Sequence, residues 1–270
     1  MNAALEASKT LFPRILTAVV LAPVVILLVH WGGLAYSLFV AALCALALYE
    51  YGVLMTVGGR PVQRWNTLAA GMVLVLLTIL GASAGLAAFI ALSLILVREI
   101  LSSAPSLERA ALSFLGAAFA GWMPAHLALI RDMSPHGESL SFLLIGSVWA
   151  MDSSAYFVGR LIGRRRLSPL VSPKKTWEGG FGGFLAAAAA LLIFSRLRPE
   201  ALPFPDAVAL AFLVGILGQI SDLSESLVKR WAGAKDSGDI FPGHGGILDR
   251  LDSFILSAPA FYYCLRMTAP

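Results

Sequence analysis

Apolar runs almost free of charge recur along this chain from Ile15 to Tyr263, each close to the ~20 residues a helix needs to cross a bilayer. Of the 270 residues, 58% are hydrophobic and only 13% are charged, which excludes an ordinary soluble domain. The short alternating segments of a transmembrane barrel are missing. The expected fold is therefore all-α, a polytopic transmembrane helical bundle. Nine spans are expected, at about 13–31, 34–56, 66–81, 84–101, 110–130, 139–162, 178–196, 206–229 and 249–267. Spans three and four are divided at Gly81-Ala-Ser-Ala-Gly85, which reads either as a tight turn or as small residues in a kinked helix.

The first run lacks an Ala-x-Ala cleavage pattern and is expected to stay as the first helix. Cys44 and Cys264 both fall in apolar runs, where free cysteines behave as small hydrophobes. With the N-terminus in the cytoplasm, sixteen of the twenty basic residues fall in cytoplasmic segments. Only Arg131, Arg196, Arg198 and Arg266 fall outside. That asymmetry is what the positive-inside rule requires, and it holds only if spans three and four are separate. The N-terminal part, 1–137, is poor in chemistry and reads mainly as scaffold. The C-terminal part, 138–270, is rich in it and is expected to carry a cavity and two cytoplasmic loops, Gly159–Trp177 and Arg230–Leu248.

Polar groups at membrane depth are expensive and mark function. On the eighth span, Asp222, Glu225, Ser226 and Lys229 share one helical face by their i, i+3, i+4 and i+7 spacing. They read either as a self-neutralising pair with Lys229 or as a site for a cation or substrate. Asp249 and Asp252 begin the ninth span three residues apart. Helix-dipole capping accounts for one such aspartate better than for two. Two carboxylates with substrate phosphates are a common way to hold Mg²⁺. Gly243, Gly245 and Gly246 let backbone approach a ligand closely, and His244 between them is either structural or part of the site.

Asp152 lies ~12 Å from the cytoplasmic end of the sixth span, and Asp222 a similar distance from the end of its own. Both fall short of the ~15 Å to the bilayer centre, in a pocket reachable from the cytosol. The run Ser172, Lys174, Lys175, Thr176, Glu178 and the glycines after it suits a polyphosphate. Gly179–Gly183 also suits close helix packing. Arg164–Arg166 read as topology signals. Glu50 is a lone intramembrane carboxylate, either part of the polar pocket or bonded to a neighbouring tyrosine.

The segment from Ser226 to Asp252 resembles the signature of phosphatidate cytidylyltransferases, also called CDP-diacylglycerol synthases. Its fixed positions are Ser226, Lys229-Arg230, Lys235-Asp236, Pro242, His244-Gly245-Gly246, Asp249-Arg250 and Asp252. The upstream Asp152-Ser-Ser-Ala-Tyr156 with Gly159-Arg160, and Ser172-Pro-Lys174-Lys175-Thr176-Trp177-Glu178-Gly179, are similar to the same family. The resemblance covers roughly residues 150 to 255; the earlier spans share only hydropathy and number.

That resemblance implies an integral-membrane nucleotidyltransferase in phospholipid biosynthesis, converting CTP and phosphatidic acid to CDP-diacylglycerol and pyrophosphate with Mg²⁺ and room for a second cation. It implies a bacterial inner (plasma) membrane or organellar location, an active site facing the cytoplasm, a lipid-bilayer environment and scope for a homodimer. No nucleic-acid partner is expected. Asp222 and Asp249 are the leading metal ligands, supported by Asp252 and Asp152. Lys229, Arg230, Lys235 and Arg250 would neutralise phosphate charge, with Asp222, Asp249, Lys229 and Arg250 catalytic. Ser172, Lys174, Lys175, Thr176, Glu178, Ser226, Arg230, Lys235, Asp236, His244, Gly245 and Gly246 would contact substrate. The runner-up readings are a CTP-dependent polyprenol-type lipid kinase and a cation-coupled transporter. Transport is disfavoured because the polar residues gather toward one side.

Overall fold

The computed structural model describes residues 22–238 and 245–268. The start of the first span, and Pro242, Gly243 and His244, lie outside the described residues. Helix α1, Ala22–Trp31, is followed by α2, Gly33–Val57. Next come α3, Arg64–Ile79, and α4, Ala84–Ile100. Helices α5, Leu107–Gly116, and α6, Met123–Arg131, are joined by a π-helical stretch, Ala117–Trp122. Helix α7, Gly137–Ile162, leads into strands β1, Arg166–Ser168, and β2, Ser172–Thr176. Helices α8, Trp177–Leu197, and α9, Phe204–Trp231, are followed by the short α10, Leu248–Leu251, and by α11, Phe254–Thr268.

Among the described residues, five helical stretches are long and apolar enough to cross a membrane: α2, the continuous Leu107–Arg131, α7, α8 and α9. Large apolar side chains such as Phe89, Phe157, Leu161, Phe181, Ile193 and Phe212 stand exposed on the outer faces. Apolar exposure on this scale belongs against lipid rather than water. The chain is an integral membrane protein.

Local chemistry explains the breaks. Gly81 adopts a positive φ of 78° after α3, and the Ser83 side chain caps α4 by accepting the Leu86 amide at 3.3 Å. Gly81–Ser83 is thus a turn between two helices, and Ala84 and Gly85 begin the second. The π stretch runs directly into Pro124, which has no amide to donate and crowds the carbonyl four residues earlier, so the ladder slips by one residue.

The all-α membrane architecture holds, with one addition and one correction. The loop after α7 adds a short antiparallel hairpin, with Arg166 opposite Thr176 and Ser168 opposite Ser172. The ninth span is not one helix from 249. It stops at Leu251 and restarts at Phe254. At the break the Ser221 hydroxyl donates to the Asp252 carbonyl, and the Ser253 amide donates to the Asp252 carboxylate at 2.6 Å. These bonds take groups that a continuous helix would use for its own ladder.

Small residues bring the helices together. A Cβ on Gly179 would come within 2.6 Å of the Ala155 carbonyl, and one on Gly183 within 2.9 Å of the Met151 carbonyl. The glycines after Glu178 therefore do serve close packing, and α7 and α8 form the most extensive helix pair. At one end of the bundle Arg60 bonds the Trp231 carbonyl through Nε at 2.9 Å and stacks on the Trp231 ring. At that same end Gln63 and Arg109 both donate to buried Glu99. At the other end Arg131 bonds the Val29 and His30 carbonyls, and His30 pairs with Glu138 at 2.8 Å.

Candidate functional site

Two adjoining polar constellations form where α2, α7, α9, the hairpin and α10 meet. The first holds Asp152 of α7, Asp222 of α9 and Asp252 at the α10–α11 break. Strand β2 carries Lys175 to Asp222, where ammonium and carboxylate form an ion pair. Asp152 accepts from the Ser253 hydroxyl at 3.3 Å through either oxygen. The three carboxylates are near enough to act on one another electrostatically, and Lys175 acts on both Asp152 and Asp252. Asp152 is exposed, while Asp222 and Asp252 are half-buried, so this cluster opens to its surroundings.

The second constellation is closed. Lys229 Nζ lies 2.6 Å from Glu225 Oε2 and 2.5 Å from Asp249 Oδ1. The Glu225 side chain is fully buried, and its Oε1 meets no hydrogen-bond donor among the described residues. Asp249 Oδ2 accepts from the Ser237 amide at 3.0 Å, the Ser237 hydroxyl at 2.9 Å and the Gly246 amide at 2.9 Å. Glu50, reaching in from α2, accepts from the Ser237 hydroxyl at 3.0 Å and from the Ile247 and Leu248 amides at 2.9 Å each. Glu225 feels the charge of both Asp249 and Asp252 and so links the two constellations.

The stripe Asp222–Glu225–Ser226–Lys229 thus divides its work. Glu225 takes Lys229 as its i+4 partner, the self-neutralising pair foreseen from spacing, but Asp222 takes Lys175 from a different element. Ser226 is buried on α9. Asp249 and Asp252 do not share a helical face, because the break after Leu251 sends Asp249 to Lys229 and Asp252 toward Asp152 and Asp222.

In the hairpin loop, Thr176 caps α8 by accepting the Gly179 amide at 3.1 Å. Glu178 closes the chain on itself by accepting the Arg164 amide at 3.0 Å and the Arg165 amide at 3.3 Å. Ser172 begins β2 and is half-buried; Lys174 is exposed beside it. Lys235, Asp236 and Arg250 are exposed, and Arg230 turns back to the Ala234 carbonyl at 2.7 Å. The Gly246 amide is spent on Asp249, and Gly245 holds a positive φ of 78° with its Cα hydrogens toward the same carboxylate. Sequence reasoning singled out Glu50 without placing it and missed Ser237 and Ser253, which are ordinary serines until the fold surrounds them with carboxylates.

A sequence model described as the cytidylyltransferase family matches residues 12–268. This chain belongs to the cytidylyltransferase family. It is 36% identical over 254 residues to a protein of Brucella abortus called phosphatidate cytidylyltransferase, covering 92% of this chain and 91% of the relative. It is 31% identical over 265 residues to the protein so named in Bacillus subtilis, covering 94% and 97%. A Synechocystis protein of the same name is 31% identical over 293 aligned residues, covering 95% and 97%. The match includes the N-terminal helices, where resemblance by motif had stopped.

Proposed function

We propose that this protein transfers the cytidylyl group of CTP to phosphatidic acid, giving CDP-diacylglycerol and pyrophosphate at the cytoplasmic face of the inner membrane. The observation that carries the reading is the ion pair between Lys175, on a hairpin outside the apolar helices, and Asp222, well inside α9. Loop lysine and membrane carboxylate meet where a water-borne triphosphate would meet a headgroup phosphate.

The reading extends to nine crossings with a cytoplasmic N-terminus. In its support, the ends of α2 and α9 touch through Arg60, while the ends of α1 and α6 touch through Arg131. Strict alternation puts the first pair on the cytoplasmic side and the second outside. The same alternation places the hairpin and Lys235 with the first pair.

The fit to a divalent cation rests on donor chemistry. Asp152, Asp222 and Asp252 offer only hard oxygens, with the Lys175 ammonium beside them. Among the described residues, no three His, Cys, Asp or Glu side chains are yet grouped tightly enough to hold an ion by themselves. Mg²⁺ needs only one or two carboxylates and completes its shell with water and substrate phosphates. Asp222, with Asp152 and Asp252, would hold it, and Asp249 would order Lys229 and the turn before it. Bound there, the cation supplies charge neutralisation for the phosphates.

The lipid phosphate is largely ionised near neutral pH, so no strong general base is needed. One of its oxygens attacks the α-phosphorus of CTP. The new P–O bond forms as the α–β anhydride bond breaks, and pyrophosphate leaves with that electron pair. Lys175, released from Asp222, and Lys174 hold the triphosphate; Lys229 neutralises developing charge from beneath, and Arg230, Lys235 and Arg250 line the approach. Positioning and electrostatics supply most of the rate in such transfers.

The test is incubation of the purified protein with α-labelled CTP, phosphatidic acid and Mg²⁺, followed by lipid extraction. Label in the lipid fraction is the expected result. Lipid labelling only from γ-labelled CTP would replace this reading with a lipid kinase, and no lipid label from either would refute both.

A further inference from the structure

Glu50 lies in α2, ~10 Å short of its end at Val57. Neither neighbouring tyrosine holds it. The Tyr51 hydroxyl donates to the Leu112 carbonyl at 2.9 Å, and Tyr49 packs against Trp65 and Arg64. Glu50 is instead 3% exposed and is held by residues nearly two hundred positions away: the Ile247 amide donates to Oε1, the Leu248 amide donates to Oε2, and the Ser237 hydroxyl, whose one proton is shared with Asp249, also lies against Oε2. The Ser237 hydroxyl stands between Glu50 and Asp249, within 3.0 Å of one and 2.9 Å of the other. Gly246 is wedged into the same point, where a Cβ would overlap both the Glu50 carboxylate and Ser237 Oγ.

A line of contacts thus runs from Glu50 through Ser237 to Asp249, and from Asp249 to Lys229. We propose that Glu50 is a positioning residue for nucleotidyl transfer, fixing the Gly246–Leu248 turn so that Asp249 keeps Lys229 aimed at the substrate phosphates. This rests on the proposed reaction. A carboxylate is suited to the task because it only accepts hydrogen bonds, and two backbone amides plus a hydroxyl proton shared with Asp249 converge on its two oxygens. The role belongs to the N-terminal helices, which would otherwise serve the site only as a frame.

The decisive variant is E50Q, which keeps size and shape but turns an –NH₂ toward groups that are themselves donors. The full-length protein in lipid nanodiscs would be compared as wild type, E50Q, E50D and S237A. The readouts are kcat and KM for each substrate per folded molecule, and backbone hydrogen exchange across 245–252. In E50Q, kcat should fall about a hundredfold, as expected of a misplaced catalytic constellation, with both KM values within about threefold of wild type. Exchange should rise at Ile247 and Leu248. E50D, which restores the charge, should recover about tenfold of the lost rate, and S237A should lose about tenfold.

Wild-type kcat per folded E50Q molecule, or unchanged exchange at Ile247 and Leu248, would overturn the proposal. So would an E50D no better than E50Q. If E50Q does not fold, S237A decides, and an unchanged kcat there overturns it. Failure of the reaction reading looks different: the wild type itself would leave no cytidylyl label in lipid, while exchange at the turn would still depend on residue 50.

Discussion

Replacing Lys229 by methionine should cost this protein much more than an ordinary ion pair is worth. The ammonium sits 2.6 Å from Glu225 and 2.5 Å from Asp249, and the side chains of Glu225, Lys229 and Asp249 are 0%, 10% and 12% exposed. An exposed pair contributes ~0–1 kcal/mol, but removing one partner of a buried pair leaves an uncompensated charge and costs ~3–5 kcal/mol. Here two carboxylates lose the same cation. Asp249 keeps the Ser237 and Gly246 amides as donors and shares the one Ser237 hydroxyl proton with Glu50, whereas Glu225 has no other partner among the described residues, so most of the penalty falls on Glu225.

The K229M protein should therefore unfold roughly 10 °C lower than wild type, a shift of the size a penalty in this range gives a chain of this length. The double variant E225Q/K229M should regain roughly half of that loss or more, since the orphaned charge is gone and the two sites are in direct contact. Neither should regain activity, because the ammonium is absent in both. Thermal unfolding by tryptophan fluorescence, read beside turnover per folded molecule, separates the two effects. A K229M protein as stable as wild type would refute the buried-pair reasoning. A double variant no more stable than K229M would refute the assignment of the penalty to Glu225.

D222N should lower turnover by about a hundredfold or more while leaving the unfolding midpoint near that of wild type, because Asp222 is partly exposed and paired with Lys175. D249N should lose turnover and also about 3 kcal/mol of stability, since it loosens Lys229, two amide donors and the shared Ser237 hydroxyl; a fully stable D249N would count against its ordering role. K175A should raise KM for CTP by about tenfold more than KM for phosphatidic acid, with K174A weaker because its side chain is exposed; a rise confined to phosphatidic acid would reverse the assignment. Single cysteines in the Gly159–Trp177 and Arg230–Leu248 loops, in a background lacking Cys44 and Cys264, should react with an impermeant thiol reagent only in opened cells, and labelling of both loops in intact cells would overturn the orientation.

What could be read from the sequence depended on the range over which each feature is determined. Helices, and the turn at Gly81–Ser83, follow from hydropathy and from residues a few positions apart, such as Ser83 and Leu86. The common face of Asp222, Glu225 and Lys229 followed in the same way, and the Glu225–Lys229 pair with it. Partners from elsewhere did not follow. Asp222 meets Lys175 because Arg166 and Ser168 pair with Thr176 and Ser172, in strands too short and too polar to show a period of two. Asp249 and Asp252 look like helical neighbours by spacing, yet Ser221, on another helix, takes the Asp252 carbonyl and the helix breaks between them.

Glu50 is the extreme case. Its partners are Ser237, Ile247 and Leu248, and only the docking of α2 beside α9 and α10 brings them within reach. A carboxylate in an apolar run announces that something must satisfy it, since burying it unpaired is prohibitive. Sequence can thus mark such a residue as functional or structural, but the choice between them depends on what the fold places opposite. Here that is a turn whose other hydrogen bonds go to Asp249, and through Asp249 to Lys229. The division into an N-terminal scaffold and a C-terminal catalytic half therefore follows where charges lie along the chain. The hydrogen bonds cross it, because the turn that binds Asp249 through the Gly246 amide is also held by Glu50 on α2 through the Ile247 and Leu248 amides.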